Sequence, residues 1–134
     1  MSTKPIVHVI DDDEAMRDSL SFLLDVQGLD ARLYDSAIAF LAALPSLEPG
    51  CIITDIRMPG LTGLELVQRL KEENVNLPVI VITGHGDVSL AVDAMKAGVM
   101  DFLEKPFSDE SLLASIKDAL ARLDTTPSPG QERL

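Results

Sequence analysis

Cysteine is nearly missing from this chain: among 134 residues there is one, Cys51. A single thiol excludes an internal disulfide, and no Cys or His stands at zinc-ligand spacing, which removes disulfide-stapled scaffolds and zinc modules. Positive charge is scarce as well. Lys and Arg number 11 against 22 Asp and Glu, for a formal net charge of -11, and so acidic a surface repels nucleic-acid phosphates. No apolar run approaches the ~18 residues that a membrane-spanning helix needs. The opening segment meets four acids in a row, Asp11 to Glu14, after a handful of apolar residues, and does not read as a signal peptide. What is present is ordinary for one globular core: 46% hydrophobic and 25% charged residues. A soluble, reducing, cytoplasmic setting is expected, with no membrane and no direct nucleic-acid contact by this domain.

Hydrophobic periodicity alternates between two kinds of segment. Ile6 to Ile10 is a short continuous apolar run, as in a strand covered on both faces. A helical pattern follows, with Met16, Leu20, Leu23 and Leu24 on one side and a stop at Gly28. Residues 30–34 make a second, more polar strand suited to a sheet edge. Ser36 can cap a helix carrying Ile38, Leu41 and Leu44 and ended by Pro45. Cys51 to Thr54 is a third strand, and after the loop DIRMPGLTG a helix turns Leu64, Val67 and Leu70 inward. Pro78 to Ile82 is the most apolar strand and is expected at the centre. A fourth helix is expected to bury Val88, Ala91, Val92 and Met95 and to stop at Gly98. Val99 to Leu103 is the fifth strand, and a last helix from near Ser108 carries Leu112, Leu113, Ile116, Leu120 and Leu123. Five βα units of this kind require crossover connections and a parallel sheet with helices on both faces. The tail, residues 124–134, holds two Pro, one Gly and almost no apolar residues, as a linker would.

Ligands of open parallel sheets bind outside the carboxyl ends of the strands, near the point where strand order reverses. The residues delivered there are Asp11, Asp12, Asp13 and Glu14 after the first strand, and Asp55 after the third. The fourth strand delivers Thr83 and Gly84, and the fifth Glu104, Lys105 and Pro106. Carboxylates gathered in one cleft repel one another unless a cation sits between them. With oxygen ligands alone, that cation is Mg²⁺ or Mn²⁺, which leaves coordination positions for phosphate oxygens. Lys105 adds a point charge and Thr83 a hydroxyl for the same anion. An aspartate so placed is a plausible nucleophile toward a phosphoryl group, forming an acyl phosphate.

Each residue also has a plainer reading. Acids at the start of a helix serve its cap and dipole, which is the main reading for Asp13 and Glu14 and an alternative for Asp11 and Asp12. Asp55 could form an Asx-turn, Lys105 could be a solvated loop residue, and Thr83 an ordinary strand end. His8 reads as a packed histidine, while His85, in a glycine-flanked loop, could modulate the site. Cys51 reads as a small buried residue, Phe102 as core, and Met16, Met58, Met95 and Met100 as packing. The joint arrival of acid, acid, hydroxyl and lysine at one rim is what the plainer readings do not explain.

These residues resemble the receiver domain of two-component response regulators, over residues 5 to about 123. The resemblance is carried by Asp11-Asp12, by Asp55-Ile56-Arg57-Met58-Pro59 followed by Gly63, by Thr83 and by Lys105-Pro106. It implies a five-stranded, doubly wound, flavodoxin-like α/β sheet of strand order 2-1-3-4-5, with helices on both faces. It implies a receiver domain over residues 1–123 and a linker over 124–134 toward an output domain that this chain does not include. Asp55 would accept a phosphoryl group from a sensor histidine kinase. Mg²⁺, for which Mn²⁺ can substitute, would be held by Asp12, Asp55 and the backbone carbonyl of Arg57, with Asp11 acting through water. Lys105 would hold the acyl phosphate, and the Lys105-Pro106 bond would be cis. Thr83 would move toward the phosphoryl group and Phe102 would turn inward behind it. Arg57 and His85 would tune hydrolysis. Such a domain is not an enzyme on outside substrates; it self-phosphorylates from phosphodonors and slowly dephosphorylates.

The phrases TGHGD (83–87), AVDAMKAG (91–98) and DFLEKPF (101–107) are similar to FixJ-type transcriptional regulators. That likeness implies homodimerisation on phosphorylation through the fourth helix and fifth strand, at Val88, Ala91, Val92, Lys96, Ala97, Met100 and Asp101, and a DNA-binding output that controls transcription. Receivers of AAA+ enhancer-binding regulators share much of this wording and form the alternative. Two other classes stay open: an Asp-nucleophile phosphohydrolase, for which Asp11 and Asp13 have the bare D-x-D spacing, and a flavodoxin-like binding module without phosphotransfer.

Overall fold

The computed structural model describes residues 5–84 and 86–125. Five strands and five α-helices alternate: β1 (Ile6–Ile10), α1 (Glu14–Val26), β2 (Asp30–Tyr34), α2 (Ala37–Ala42), β3 (Gly50–Asp55), α3 (Gly63–Glu72), β4 (Val79–Thr83), α4 (Val88–Lys96), β5 (Asp101–Glu104) and α5 (Asp109–Thr125), with a 3₁₀ turn at Leu44–Ser46. The strands form one parallel sheet of order β2-β1-β3-β4-β5. The tail 126–134 and His85 lie outside the described residues. Among the described residues, no helix is long and apolar enough to cross a membrane.

Strand periodicity splits the core into two layers. Val7, Val9, Cys51, Ile53, Ile80 and Ile82 face α1 and α5 and pack against Leu20, Leu24, Leu112 and Ile116. Ile10, Ile52, Val79 and Val81 face the other way, against Phe40, Leu66, Val67 and Ala94. β1, β3 and β4 are buried throughout, as strands covered on both faces must be, whereas β2 is an exposed edge carrying Asp30 and Arg32. The centre belongs to β3; the more apolar β4 is interior but second from the edge. Gly50 is required where β3 begins, because a Cβ there would lie 1.7 Å from the Ile6 carbonyl oxygen.

Two helices bury a different stripe from the one expected. In α4, Ala91 and Ala94 face the sheet, while Val88, Val92 and Met95 are 59%, 44% and 42% exposed. The small alanines let the helix lie close on β4 and β5, which turns the larger apolar residues outward. In α2, Ala37 and Phe40 are buried and Ile38 is 64% exposed. In α4 size is a poor guide because close packing selects the small alanines; in α2 the short helix turns Phe40 inward in place of Ile38.

His8 is buried in β1 as expected, and its bonds fix its tautomer. The Glu48 carbonyl, 2.9 Å from Nε2, can only accept, so Nε2 carries the proton and Nδ1 accepts from the Tyr34 hydroxyl at 3.1 Å. Burial pushes the His8 pKa below its ordinary value of 6.5, against the opposing pull of the Glu48 carbonyl. The unfolded chain therefore takes the proton first as pH falls. The stability contribution is complete above the unfolded value and is lost as pH drops below it. In urea titrations the stability of wild type relative to His8→Gln is expected to shrink between about pH 7.5 and about pH 5.5, by no more than about 1.4 kcal/mol per pH unit. A difference that stays level or grows counts against this assignment.

Candidate functional site

β2 and β3 lie on opposite sides of β1, so the reversal of strand order falls between β1 and β3. Ile10 pairs with Thr54 in register, and Asp55 with Ile82. Asp11 and Asp55 therefore leave neighbouring strands side by side. Asp11 is buried; its N–H donates to the Tyr34 carbonyl at 3.1 Å and its Oδ1 accepts from the Asp13 N–H at 2.9 Å. Asp12 is exposed next to it, and Asp13 caps α1 by accepting from the Ala15 N–H at 3.1 Å. The capping reading thus holds for Asp13 and leaves Asp11 and Asp12 for other work.

Asp55 is held at both oxygens. Oδ1 accepts from the Arg57 N–H at 3.0 Å, the Asx-turn that its position suggested, and Oδ2 accepts from the Lys105 ammonium at 3.0 Å. Burial alone would push the Lys105 pKa down; its bond to Asp55 and the charge of that carboxylate more than reverse this and hold it above the ordinary lysine value. The Lys105-Pro106 bond is cis, and the Lys105 N–H donates to the Thr83 carbonyl at 2.8 Å. Thr83 is buried, its hydroxyl donating across to the Leu103 carbonyl at 3.4 Å. Phe102 is not core: its side chain points partly into solvent, 37% exposed.

The donor set fits a hard divalent cation. One oxygen each from Asp11, Asp12 and Asp55 lie within 4.8 Å of one another. Among the described residues Asp11 Oδ2 is buried without a hydrogen-bond partner, a costly state for a carboxylate oxygen unless a cation faces it. Burial, with the charges of Asp55 and Asp12 adding to it, pushes the Asp11 pKa up against the Asp13 N–H bond and Lys105. With three acids and one ammonium, the cluster keeps an excess of negative charge that Mg²⁺ would offset.

The loop after Asp55 is anchored by the buried Ile56 and Met58 and by the start of α3, where Thr62 and Glu65 form a capping box. The Gly63 N–H donates to the Ile56 carbonyl at 2.9 Å, and a Cβ on Gly63 would lie 2.6 Å from the Asp55 carbonyl oxygen. Three side chains that periodicity does not single out also hold the site. Arg57 forms a bidentate pair with Asp87, at 2.9 Å for each bond, which ties this loop to the β4–α4 loop. The Arg57 guanidinium keeps the Asp87 carboxyl below its ordinary pKa. Arg17, one turn into α1, donates to the Asp11 carbonyl at 2.6 Å. A cation on the same helical face as Leu20 and Leu24 is the signal that could have found it; a pair thirty positions apart, such as Arg57 and Asp87, leaves none.

Of the surface expected to dimerise, Val88, Val92 and Lys96 are exposed and Met100, Asp101 and Ala97 half-buried. Ala91 is fully buried against the sheet and does not belong to that surface. Asp101 also turns one carboxylate oxygen to the Ser115 hydroxyl, at 2.5 Å.

Residues 7–117 match the family model described as the response regulator receiver domain. The transcriptional regulatory protein FixJ of Bradyrhizobium diazoefficiens is 55% identical over 124 residues, covering 92% of this chain and 60% of that protein. FixJ of Azorhizobium caulinodans is 55% identical over 116 residues, 87% of this chain and 55% of that one. The crystal structure of full-length FixJ from B. japonicum superposes with a TM-score of 0.87 at 54% identity, over 92% of this chain and 61% of that one. The chain thus spans less than two thirds of the length of these relatives.

Gly63→Ala tests how tightly the Asp55 loop is set. Alanine is the better helix former by about 1 kcal/mol, but backbone atoms must shift to admit the methyl, at about 1–3 kcal/mol. Net destabilisation in urea unfolding is expected; equal or greater stability would show that the loop yields freely.

Proposed function

The chain belongs to the response regulator receiver domain family, and from that premise we propose that Asp55 accepts a phosphoryl group from a sensor histidine kinase. The observation that carries this reading is the pairing of Asp55 Oδ2 with Lys105 at 3.0 Å, next to a buried Asp11 oxygen without a partner among the described residues. A carboxylate oxygen of Asp55 attacks phosphorus, the P–N bond to the kinase histidine breaks, and the electron pair leaves with the imidazole, which takes up a proton. The product is an acyl phosphate on Asp55. Asp12, Asp55 and the Arg57 backbone carbonyl would hold Mg²⁺, or Mn²⁺ in its place, with Asp11 acting through water. The cation supplies charge neutralisation between these carboxylates and the phosphoryl oxygens. Lys105 follows the new charge from the Asp55 carboxylate to the phosphoryl group. The same chemistry allows self-phosphorylation from small phosphodonors and slow hydrolysis, which Arg57 and His85 would tune.

Residues 1–123 are the receiver and 124–134 a linker to a DNA-binding output, so that phosphorylation controls transcription. The likeness to FixJ in sequence and in structure favours that output over the AAA+ enhancer-binding alternative. The signal leaves the site through Thr83, whose hydroxyl would exchange the Leu103 carbonyl for a phosphoryl oxygen, and through Phe102, which would turn into the space released. The face it acts on is Val88, Val92, Lys96, Met100 and Asp101 of α4 and β5, where a second copy would dock. Its large exposed apolar residues, Val88, Val92, Met95 and Phe102, support this.

Intact-mass spectrometry after incubation with acetyl phosphate and Mg²⁺ is expected to show one added phosphoryl group on wild type and none on Asp55→Asn. An adduct that survives Asp55→Asn overturns the assignment of the acceptor. Thr83→Ala is expected to be labelled like wild type but to stay monomeric in size-exclusion chromatography, where labelled wild type dimerises. A labelled Thr83→Ala that dimerises fully would remove Thr83 from the switch.

A further inference from the structure

Asp11 is restrained at every polar atom but one: its N–H by the Tyr34 carbonyl, its Oδ1 by the Asp13 N–H, and its carbonyl by Arg17. The remaining atom, Oδ2, is the buried oxygen without a partner among the described residues, and it belongs to the acidic cluster. We propose that Arg17 is a positioning residue for cation binding: by fixing the Asp11 peptide from below, it aims the Asp11 and Asp12 carboxylates at the ion. The proposal rests on the reading of this cluster as the Mg²⁺ site.

The case is geometric. β1 ends at Ile10, and the chain turns from Asp11 into α1 at Glu14 within three residues. The Asp11 carbonyl lies beyond the last paired residues of the β1–β2 and β1–β3 ladders, so no neighbouring strand holds it. A carbonyl left free there would let the Asp11–Asp12 peptide plane rotate, which would turn the Asp12 carboxylate away and loosen the turn that sets it beside Asp11. Arg17 is placed to prevent this because α1 begins at once and carries it one turn in, on the same face as Leu20 and Leu24. It is half-buried, and its 2.6 Å bond is charge-assisted and short. Partners of this second tier typically change metal affinity by about 10- to 100-fold when removed.

Arg17 also has a positive charge, which by itself repels a cation, so orientation and charge predict opposite outcomes when the side chain is neutralised. Arg17→Met keeps the apolar stem and removes charge and bond together; Arg17→Lys keeps the charge and gives up the planar fork. Mg²⁺ affinity of the whole chain is measured by isothermal titration calorimetry, with folding of each variant checked by circular dichroism and urea unfolding. Positioning predicts binding weakened by about tenfold or more in Arg17→Met and by less in Arg17→Lys. It also predicts that acetyl phosphate labelling is slow at low Mg²⁺ and returns to the wild-type rate at saturating Mg²⁺. A folded Arg17→Met that binds Mg²⁺ within twofold of wild type, or more tightly, overturns the proposal, as does a labelling defect that saturating Mg²⁺ leaves in place. Wild type is the control for the reading beneath it: if wild type neither binds Mg²⁺ nor takes a phosphoryl group, that reading fails, whereas a competent wild type with unaffected variants fails Arg17 alone.

Discussion

Mutual repulsion among Asp11, Asp12 and Asp55 is the constraint on which the rest of this structure depends. With oxygens that lie within 4.8 Å of one another, two charged carboxylates cost at least about 1 kcal/mol when fully screened by water and at least about 3–4 kcal/mol at an effective dielectric near 20. Against the few kcal/mol by which a domain of this size is stable, the arrangement persists only because other groups hold it. Lys105 meets Asp55 from the far side of β4, the Arg57 and Asp13 N–H groups each take one oxygen, and Arg17 secures the Asp11 peptide. Those groups come from β1, β3, β5 and the start of α1. The parallel sheet brings them together because parallel strands present all their carboxyl ends at one rim. The fold is in this sense the device that concentrates charge, and the apolar layers on its two faces supply the stability that the rim gives up.

The strands and the acidic rim were legible in the sequence because short apolar runs and their abrupt charged ends survive any detail of packing. Asp11, Asp12, Asp55, Thr83 and Lys105 each stand where a strand stops, and strand order follows from the resemblance that those residues carry. Helix faces were less legible. Periodicity can rank Val88, Val92 and Met95 against Ala91 and Ala94, but the choice depends on how closely α4 approaches the sheet, which is a property of β4 and β5 and not of the helix itself. The Arg57–Asp87 pair was not legible at all, since neither residue has a local partner that points to the other. Arg17 stands between these cases: a cation on a buried stripe is visible in the sequence, but what it bonds is a backbone carbonyl, and backbone carries no sequence signal.

The same local economy explains how a charge arriving at Asp55 can act at a distance. Lys105 is joined to β4 by its N–H and to Asp55 by its ammonium, so it links the two sides of the rim. Thr83 is the loose member. Its bond to the Leu103 carbonyl is 3.4 Å long, at the weak end for a hydroxyl donor, and a phosphoryl oxygen offers a charge-assisted bond roughly twice as strong. Phe102 is the matching reserve on the other side: being 37% exposed, it has about a third of the burial energy of a whole side chain still to gain, on the order of 0.5–1 kcal/mol. If Thr83 and Phe102 switch as proposed, a weak bond to give up and an aromatic ring to bury are the features that would let one dianion decide between two arrangements of β4 and β5.

The exposed face of α4 then acquires a reason that packing alone does not provide. With Ala91 and Ala94 against the sheet, α4 makes its closest core contacts through small residues, and the monomer leaves 59%, 44% and 42% of Val88, Val92 and Met95 in water. Apolar side chains on α4, with the partly exposed Phe102 on the adjoining β5, are what the proposed docking of a second copy would cover. If Phe102 leaves that surface for the interior, the shape and hydrophobicity of the face change at its centre. On the proposed mechanism the docking surface and the switch would therefore share residues, so that one rearrangement of β4 and β5 would both report the phosphoryl group and reshape the face offered to a second copy.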